Sequence, residues 1–214
     1  MSTVLYDTRR AGAHIISESA GETGGMRSRA VGVLASGVKY LNGTVLGQVV
    51  VGAAVAAANG GNTGNATISA VTTAEGAKPG VYKVEFTAAT KFDVIDPDGF
   101  KVKSGQTGAA YADDLGFTIT AGATPMVAGD GFTITVGAGT KKYKKLDPAA
   151  GDGSQDAAAI LFGDVDATTA DQKAVLTVRE SEVADFELVW PVGISAPAKA
   201  AAIAALEAKG ITVR

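Results

Sequence analysis

The side chains capable of chemistry are few, and their spacing does not suit the common reactions. The chain has 214 residues, a single histidine, His14, and no cysteine. That excludes disulfide frameworks, zinc–thiolate sites, iron–sulfur clusters and any site needing two histidines. A Ser–His–Asp set would have to use His14, and no Gly-x-Ser-x-Gly elbow is present to offer the serine. Gly137-Ala138-Gly139-Thr140-Lys141 has the flavour of a phosphate loop but lacks the Walker spacing and the hydroxyl residue after the lysine. Asp96-x-Asp98-Gly99 resembles part of a calcium loop. On that template, however, the first ligand falls on Val94 and the last on Gly105, so the segment reads as a turn. Asp147, Asp152, Asp156, Asp164, Asp166 and Asp171 lie in glycine-rich, loop-like surroundings, which suit solvated turns better than paired catalytic carboxylates. No enzyme activity, cofactor or metal is expected.

Composition points the same way. Lys+Arg is 19 and Asp+Glu is 22, a net charge of -3, without the basic excess of a nucleic-acid binder. The basic run Lys141-Lys142-Tyr143-Lys144-Lys145 reads as a solvated strand face. Hydrophobic residues make up 46% but aromatics only 6%, so the apolar mass sits in small residues. Glycine, at 28 residues, is nearly twice its usual share of about 7%. Such a profile suits a β-rich, turn-rich structural protein. The most apolar run, residues 49–58, is far short of the roughly 20 residues needed to span a bilayer. It is expected to be a buried strand continued by small residues, and no membrane span or leader is expected.

The elements follow from periodicity and punctuation. Residues 1–30 have no sustained period and are expected to stay mobile until they meet a partner, with His14-Ile15-Ile16 as an apolar island. Asn42-Gly43 predicts a tight turn between strands. Tyr82, Val84 and Phe86 alternate with Lys83 and Glu85, the mark of a half-buried strand. Asp96-Pro97-Asp98-Gly99 ends the next strand with turn chemistry. An internal echo, Gly116-Phe117-Thr118-Ile119-Thr120 and Gly131-Phe132-Thr133-Ile134-Thr135, predicts two strands with Phe and Ile on one face. Phe186, Leu188 and Trp190 alternate with Glu187 and Val189, which predicts a strand stopped by Pro191. Ser195 or Ala196 caps a helix that Pro197 opens and that runs through Lys209, Gly210 closes it, and residues 211–213 read as a last strand. The fold class expected is mainly β with one C-terminal helix, an α+β arrangement, together with an all-β sandwich- or barrel-like domain.

Two segments carry a resemblance. Asp152-Gly153-Ser154-Gln155-Asp156-Ala157-Ala158-Ala159-Ile160-Leu161, followed by Phe186-Glu187-Leu188-Val189-Trp190-Pro191 and then by the helix and short strand, resembles the lambda-type bacteriophage head decoration proteins. The resemblance covers residues 26–48 and 140–214. Short members of that family have no equivalent of the middle of the chain, so it implies a discontinuous decoration domain interrupted by an inserted β domain over residues 49–139. Residues 1–25 would be a docking arm.

The resemblance implies a structural protein of the virion, made in the host cytoplasm and placed on the outer capsid surface. There it would sit as a homotrimer at local threefold positions of the expanded shell. It would clamp the major capsid protein against internal DNA pressure without contacting nucleic acid. Thr3, Val4, Leu5, Tyr6, His14, Ile15 and Ile16 are the residues expected to bind the capsid. Ile160, Leu161, Phe186, Leu188, Trp190 and Pro191 are expected to form the core and trimer body. The alternative is a display module whose inserted domain recognises a host-surface glycan or protein.

Overall fold

The computed structural model describes residues 10–20 and 27–214. Its elements, in chain order, begin with β1 (Ile15–Glu18), β2 (Arg29–Leu34), β3 (Val38–Tyr40) and β4 (Val45–Gln48). Nine strands follow: β5 (Val51–Ala58), β6 (Thr67–Ile68), β7 (Thr72–Thr73), β8 (Gly80–Ala88), β9 (Lys91–Ile95), β10 (Lys101–Gln106), β11 (Ala110–Ala112), β12 (Leu115–Thr120) and β13 (Gly131–Ala138). The chain ends with β14 (Tyr143–Lys145), β15 (Ala157–Leu161), β16 (Val165–Ala167), β17 (Gln172–Thr177), β18 (Ser181–Val183), α1 (Ala196–Glu207) and β19 (Ile211–Val213). Among the described residues the protein is mostly β with one α-helix near the C-terminus, as composition and punctuation predict.

The contacts divide into two compact units. The first comprises described residues up to Gln48, then Lys141–Pro148 and Ser154–Arg214; the second comprises Val49–Thr140 and Ala149–Gly153.

In the first unit, β14, β2, β17, β15 and β4 close into a small barrel. β15 is its most buried strand because both of its faces are covered. A register shift between Ala157 and Ala159 breaks the alternation locally, as a β-bulge does. Ala159 and Leu161 therefore join the cluster with Leu34, Tyr40, Leu46 and Leu176. Ala157 and Ile160 join the one with Val45, Leu188, Leu206 and Ile211, where α1 packs. The small side chains of Ala157 and Ala159 leave room for neighbours on both sides. The helix starts where expected: the Ser195 hydroxyl accepts from the Ala198 N–H at 3.3 Å, and Gly210 takes φ +78 just beyond its end. β19 pairs parallel with β18, and β1 adds to the other side of β18.

In the second unit, a five-stranded sheet of order β10-β9-β8-β13-β5 and a four-stranded sheet built on β11-β12-β6, with β7 also on β12, share one core. Tyr82, Val84 and Phe86 are buried, as their alternation predicts. The echoed segments become β12 and β13, one in each sheet, and they bury Phe117, Ile119, Phe132 and Ile134. Aromatic rings join the layers: Phe92 lies 6.0 Å from Phe117, which stacks on Tyr111 at 4.7 Å. At the β9–β10 turn, the Asp96 carboxylate accepts from the backbone N–H groups of Asp98 and Phe100 at 3.0 and 2.8 Å.

Three expectations change. β5 is an edge strand with Val55 67% exposed, not a buried strand. Asn42-Gly43 does form a turn, but β3 pairs with β16, and β4 with β14 and β15, so the turn joins two sheets and makes no hairpin. Residues 186–190 do not form a strand. Residues 185–187 make one 3-10 turn, and only Val189 bridges to Thr44.

Candidate functional site

The features that set the first unit apart lie where its N-terminal segment and its Trp190 segment meet the barrel. Arg10 to Glu18, expected to be mobile, is held to the body. The Gly12 N–H donates to the Phe162 carbonyl at 2.7 Å, and a Cβ at Gly12 would stand 2.6 Å from the Phe162 ring. His14 is 0% exposed. Its Nδ1 lies 3.2 Å from Asn42 Oδ1 and its Nε2 3.2 Å from Thr177 Oγ1. Asn42 in turn donates from Nδ2 to the Arg10 carbonyl and from its backbone N–H to Asp164 Oδ1 at 2.6 Å. Burial lowers the His14 pKa from 6.5 to about 4; the Asn42 hydrogen bond and the Glu18 charge oppose this, and Arg29 adds to it. Ile15 pairs with Val183 in the chain's own sheet, and Ile16 is 55% exposed beside it. Arg29 binds the Glu18 carboxylate from Nε at 2.9 Å and also from Nη2, while the Ser28 hydroxyl donates to the same group. The Arg29 bond holds the Glu18 pKa below the usual carboxylate range, and the guanidinium also lies 4.0 Å from the centre of the Phe162 ring.

His14 is therefore a buried polar anchor of the body, and Ile15 is occupied by an internal strand partner. This corrects the expectation that both belong to a free arm. The local sequence is polar, but its hydrogen-bond partners come from distant strands and supply what apolar burial does not. Thr3, Val4, Leu5 and Tyr6 lie outside the described residues.

The second feature is the chain from Asp185 to Val192. Asp185 accepts from Trp190 Nε1 at 2.9 Å and from Lys199 Nζ at 2.7 Å. Burial pushes the Asp185 carboxyl up, but these two donors outweigh it and leave the pKa lowered. Lys199 Nζ also stands 5.1 Å from the Trp190 ring centre. Trp190 is half-buried against the cluster that contains Leu188. A cleft of about 140 Å³ beside it is lined by Thr44, Leu146, Val189, Pro191 and others. Gly43 fixes the approach: it takes φ +77, and a Cβ there would lie 2.3 Å from the Glu187 carbonyl oxygen.

Ile160, Leu161 and Leu188 are buried, and Pro191 is half-buried. Phe186 is 79% exposed, which corrects its expected place in the core. The 3-10 turn rotates it out of the period that Leu188 and Trp190 keep. Val192 is fully exposed nearby in sequence. Asn42, Thr177, Asp185 and Lys199 were not singled out from sequence. The Asn-Gly turn marked Asn42 only as turn chemistry. The other three carry no local signal, because their partners lie in other elements. Among the described residues, no group of three or more His, Asp or Glu side chains is placed to hold a metal ion, and no helix is long and apolar enough to cross a membrane.

The first unit thus presents Phe186 and Val192 to solvent beside a closed barrel. The model of one family, bacteriophage lambda head decoration protein D, matches residues 101–211, just over half of the chain, and the chain belongs to that family. This is a family of structural phage capsid proteins, and membership supports a capsid decoration role. The match begins at Lys101 in β10, within the region expected to be an insertion, and does not include residues 26–48. No curated protein matches the chain.

Among solved structures, Xanthomonas campestris FlgL in two crystal forms is 24% identical over 49% and 48% of this chain, with a TM-score of 0.33 in each. The flagellar hook junction protein FlgK from Burkholderia pseudomallei is 25% identical over 59% of this chain, with a TM-score of 0.34. The chain spans 34% and 33% of the two FlgL chains and 23% of FlgK. TM-scores this low establish no shared fold.

Proposed function

We propose that the protein binds the outside of an expanded phage capsid as a homotrimer at local threefold positions and stabilises the shell against internal DNA pressure. The observation that carries this is the family match, which runs from β10 through β13 of the second unit, then through the barrel strands β14, β15 and β17, through α1 and into β19. The action needs no bond-making: shared contacts tie neighbouring major capsid subunits together, and no catalytic step is assigned to the chain. With His14 and Ile15 engaged in the body, capsid docking is assigned to the segment containing Thr3, Val4, Leu5 and Tyr6. The exposed Phe186 and Val192 supply apolar surface for subunit contacts. The second unit is assigned the role of a displayed module, with its strands β10–β13 inside the stretch that the family model matches. Electron cryomicroscopy of decorated shells tests the reading. Three copies around each local threefold axis are expected, and copies scattered or absent from those axes would refute it.

A second reading has one observation in its favour. Phe100, at the β9–β10 turn of the second unit, is 71% exposed, and the turn beneath it is hydrogen-bonded through Asp96. Lys78 Nζ donates to both Asp96 and Asp98, at 2.7 and 2.6 Å. An exposed ring on a hydrogen-bonded turn suits a displayed module that meets a host-surface glycan or protein. Loss of cell adhesion in Phe100→Ala, with shell binding retained, would support it.

A further inference from the structure

The two edges of the five-stranded sheet are built differently. The sheet ends on β10 at one side and on β5 at the other. β10 carries Lys101 and Lys103, and its pairing with β9 shifts register between them. Charges and bulges of this kind keep an edge from recruiting another strand. β5 has neither at its centre: its sequence, Val-Gly-Ala-Ala-Val-Ala-Ala-Ala, holds no charge and no proline. It pairs with β13 in unbroken register from Ala58 to Ala54, with a shift only near its start. Ala53, Val55 and Ala57 are exposed on its outer face. Among the described residues no strand pairs with its free side, where an open groove of about 340 Å³ runs between residues 54–56 and residues 68–71.

We propose that β5 pairs antiparallel with β5 of a second copy of this chain, joining two five-stranded sheets into one. A twofold contact brings the same patch against itself. On β5 that places small apolar side chains opposite one another with no like charges, whereas the same operation on β10 sets lysines in facing strands. The Val51 N–H already donates to the Asp152 carbonyl at 3.0 Å, so the open edge runs over residues 52–58, about 24 Å at about 3.4 Å per residue. That is too narrow to bury the roughly 1,000 Å² of a stable complex. Pairing is therefore weak between isolated molecules and strong where copies are crowded at high effective concentration. The crowded setting rests on the decoration reading; the pairing itself does not.

The chain has no cysteine, so a single introduced one reports contact cleanly. Full-length Val55→Cys and Lys101→Cys proteins are oxidised in free solution with copper–phenanthroline at rising concentration, and dimers are read on denaturing gels. Val55→Cys is expected to cross-link about tenfold faster than Lys101→Cys, and adding Ala53→Lys with Ala57→Lys is expected to remove that advantage. Equal rates, or insensitivity to the lysines, would overturn the proposal. Ala57→Cys is a second probe on the same face should Val55→Cys fail to fold. Decoration without dimers refutes the pairing alone, and dimers without decoration refute the decoration reading alone.

Discussion

Lowering the pH should loosen the first unit through one residue, His14. It is 0% exposed, and burial lowers its pKa from 6.5 to about 4. The folded state therefore favours the neutral ring. Its contribution is complete above pH 6.5, is lost as pH falls through the window from 6.5 to 4, and is gone below it. At about 1.4 kcal/mol per unit, the full displacement is worth roughly 3 kcal/mol, and the loss between pH 8 and pH 5 is about 2 kcal/mol. That is a large part of the 5–15 kcal/mol typical of a domain. The readout is built in, because the single tryptophan, Trp190, belongs to the same unit. Urea unfolding followed by its fluorescence, for the natural sequence and for His14→Gln, gives a difference in which the carboxylates cancel. With no other histidine in the chain, that difference should change by about 2 kcal/mol between pH 8 and pH 5. A difference that stays flat across this range would refute the placement of His14 as a buried neutral anchor.

Other substitutions test other parts of the account. Gly43→Ala should cost about 2 kcal/mol or more, because φ is +77 and the Cβ would meet the Glu187 carbonyl; a neutral result in urea unfolding would show that the turn can move. Trp190→Ala should cost about 2–3 kcal/mol, less than for a fully buried tryptophan, whereas Phe186→Ser should stay within about 0.5 kcal/mol; calorimetry on both would expose a reversed order. In the second unit, Asp130 accepts from the N–H groups of Thr63, Gly64 and Val127 at 2.8, 2.9 and 3.0 Å, which hold its pKa low. Asp130→Ala should lower the Tm of that unit, and Asp130→Asn should recover part of the loss.

What could be read from sequence was what neighbouring residues decide. The Phe-Thr-Ile-Thr echo specifies two strands with one buried face each, and the structure buries those four apolar side chains. Ser195, Pro197 and Gly210 delimit the helix because caps act within a turn of it. Phe186, Leu188 and Trp190 show where that reasoning fails. Their spacing matches a strand, yet Asp185, tied to Lys199 and Trp190, and the close approach of Gly43 to Glu187 impose a turn. His14 fails for the same reason on a longer scale: its partners lie 28 and 163 residues away, and no local pattern announces them. The edge position of β5 was likewise hidden. An apolar run of small residues looks the same in the centre of a sheet and at its rim, and strand order decides between them.

The central claim is capsid decoration, and co-sedimentation tests it most directly. The purified full-length protein is mixed with expanded, undecorated shells of the phage that encodes it, and shell survival is scored under mild heat. Saturable binding with a gain in survival is the result the account predicts. A folded protein that stays in the supernatant and leaves the shells as fragile as before would contradict it.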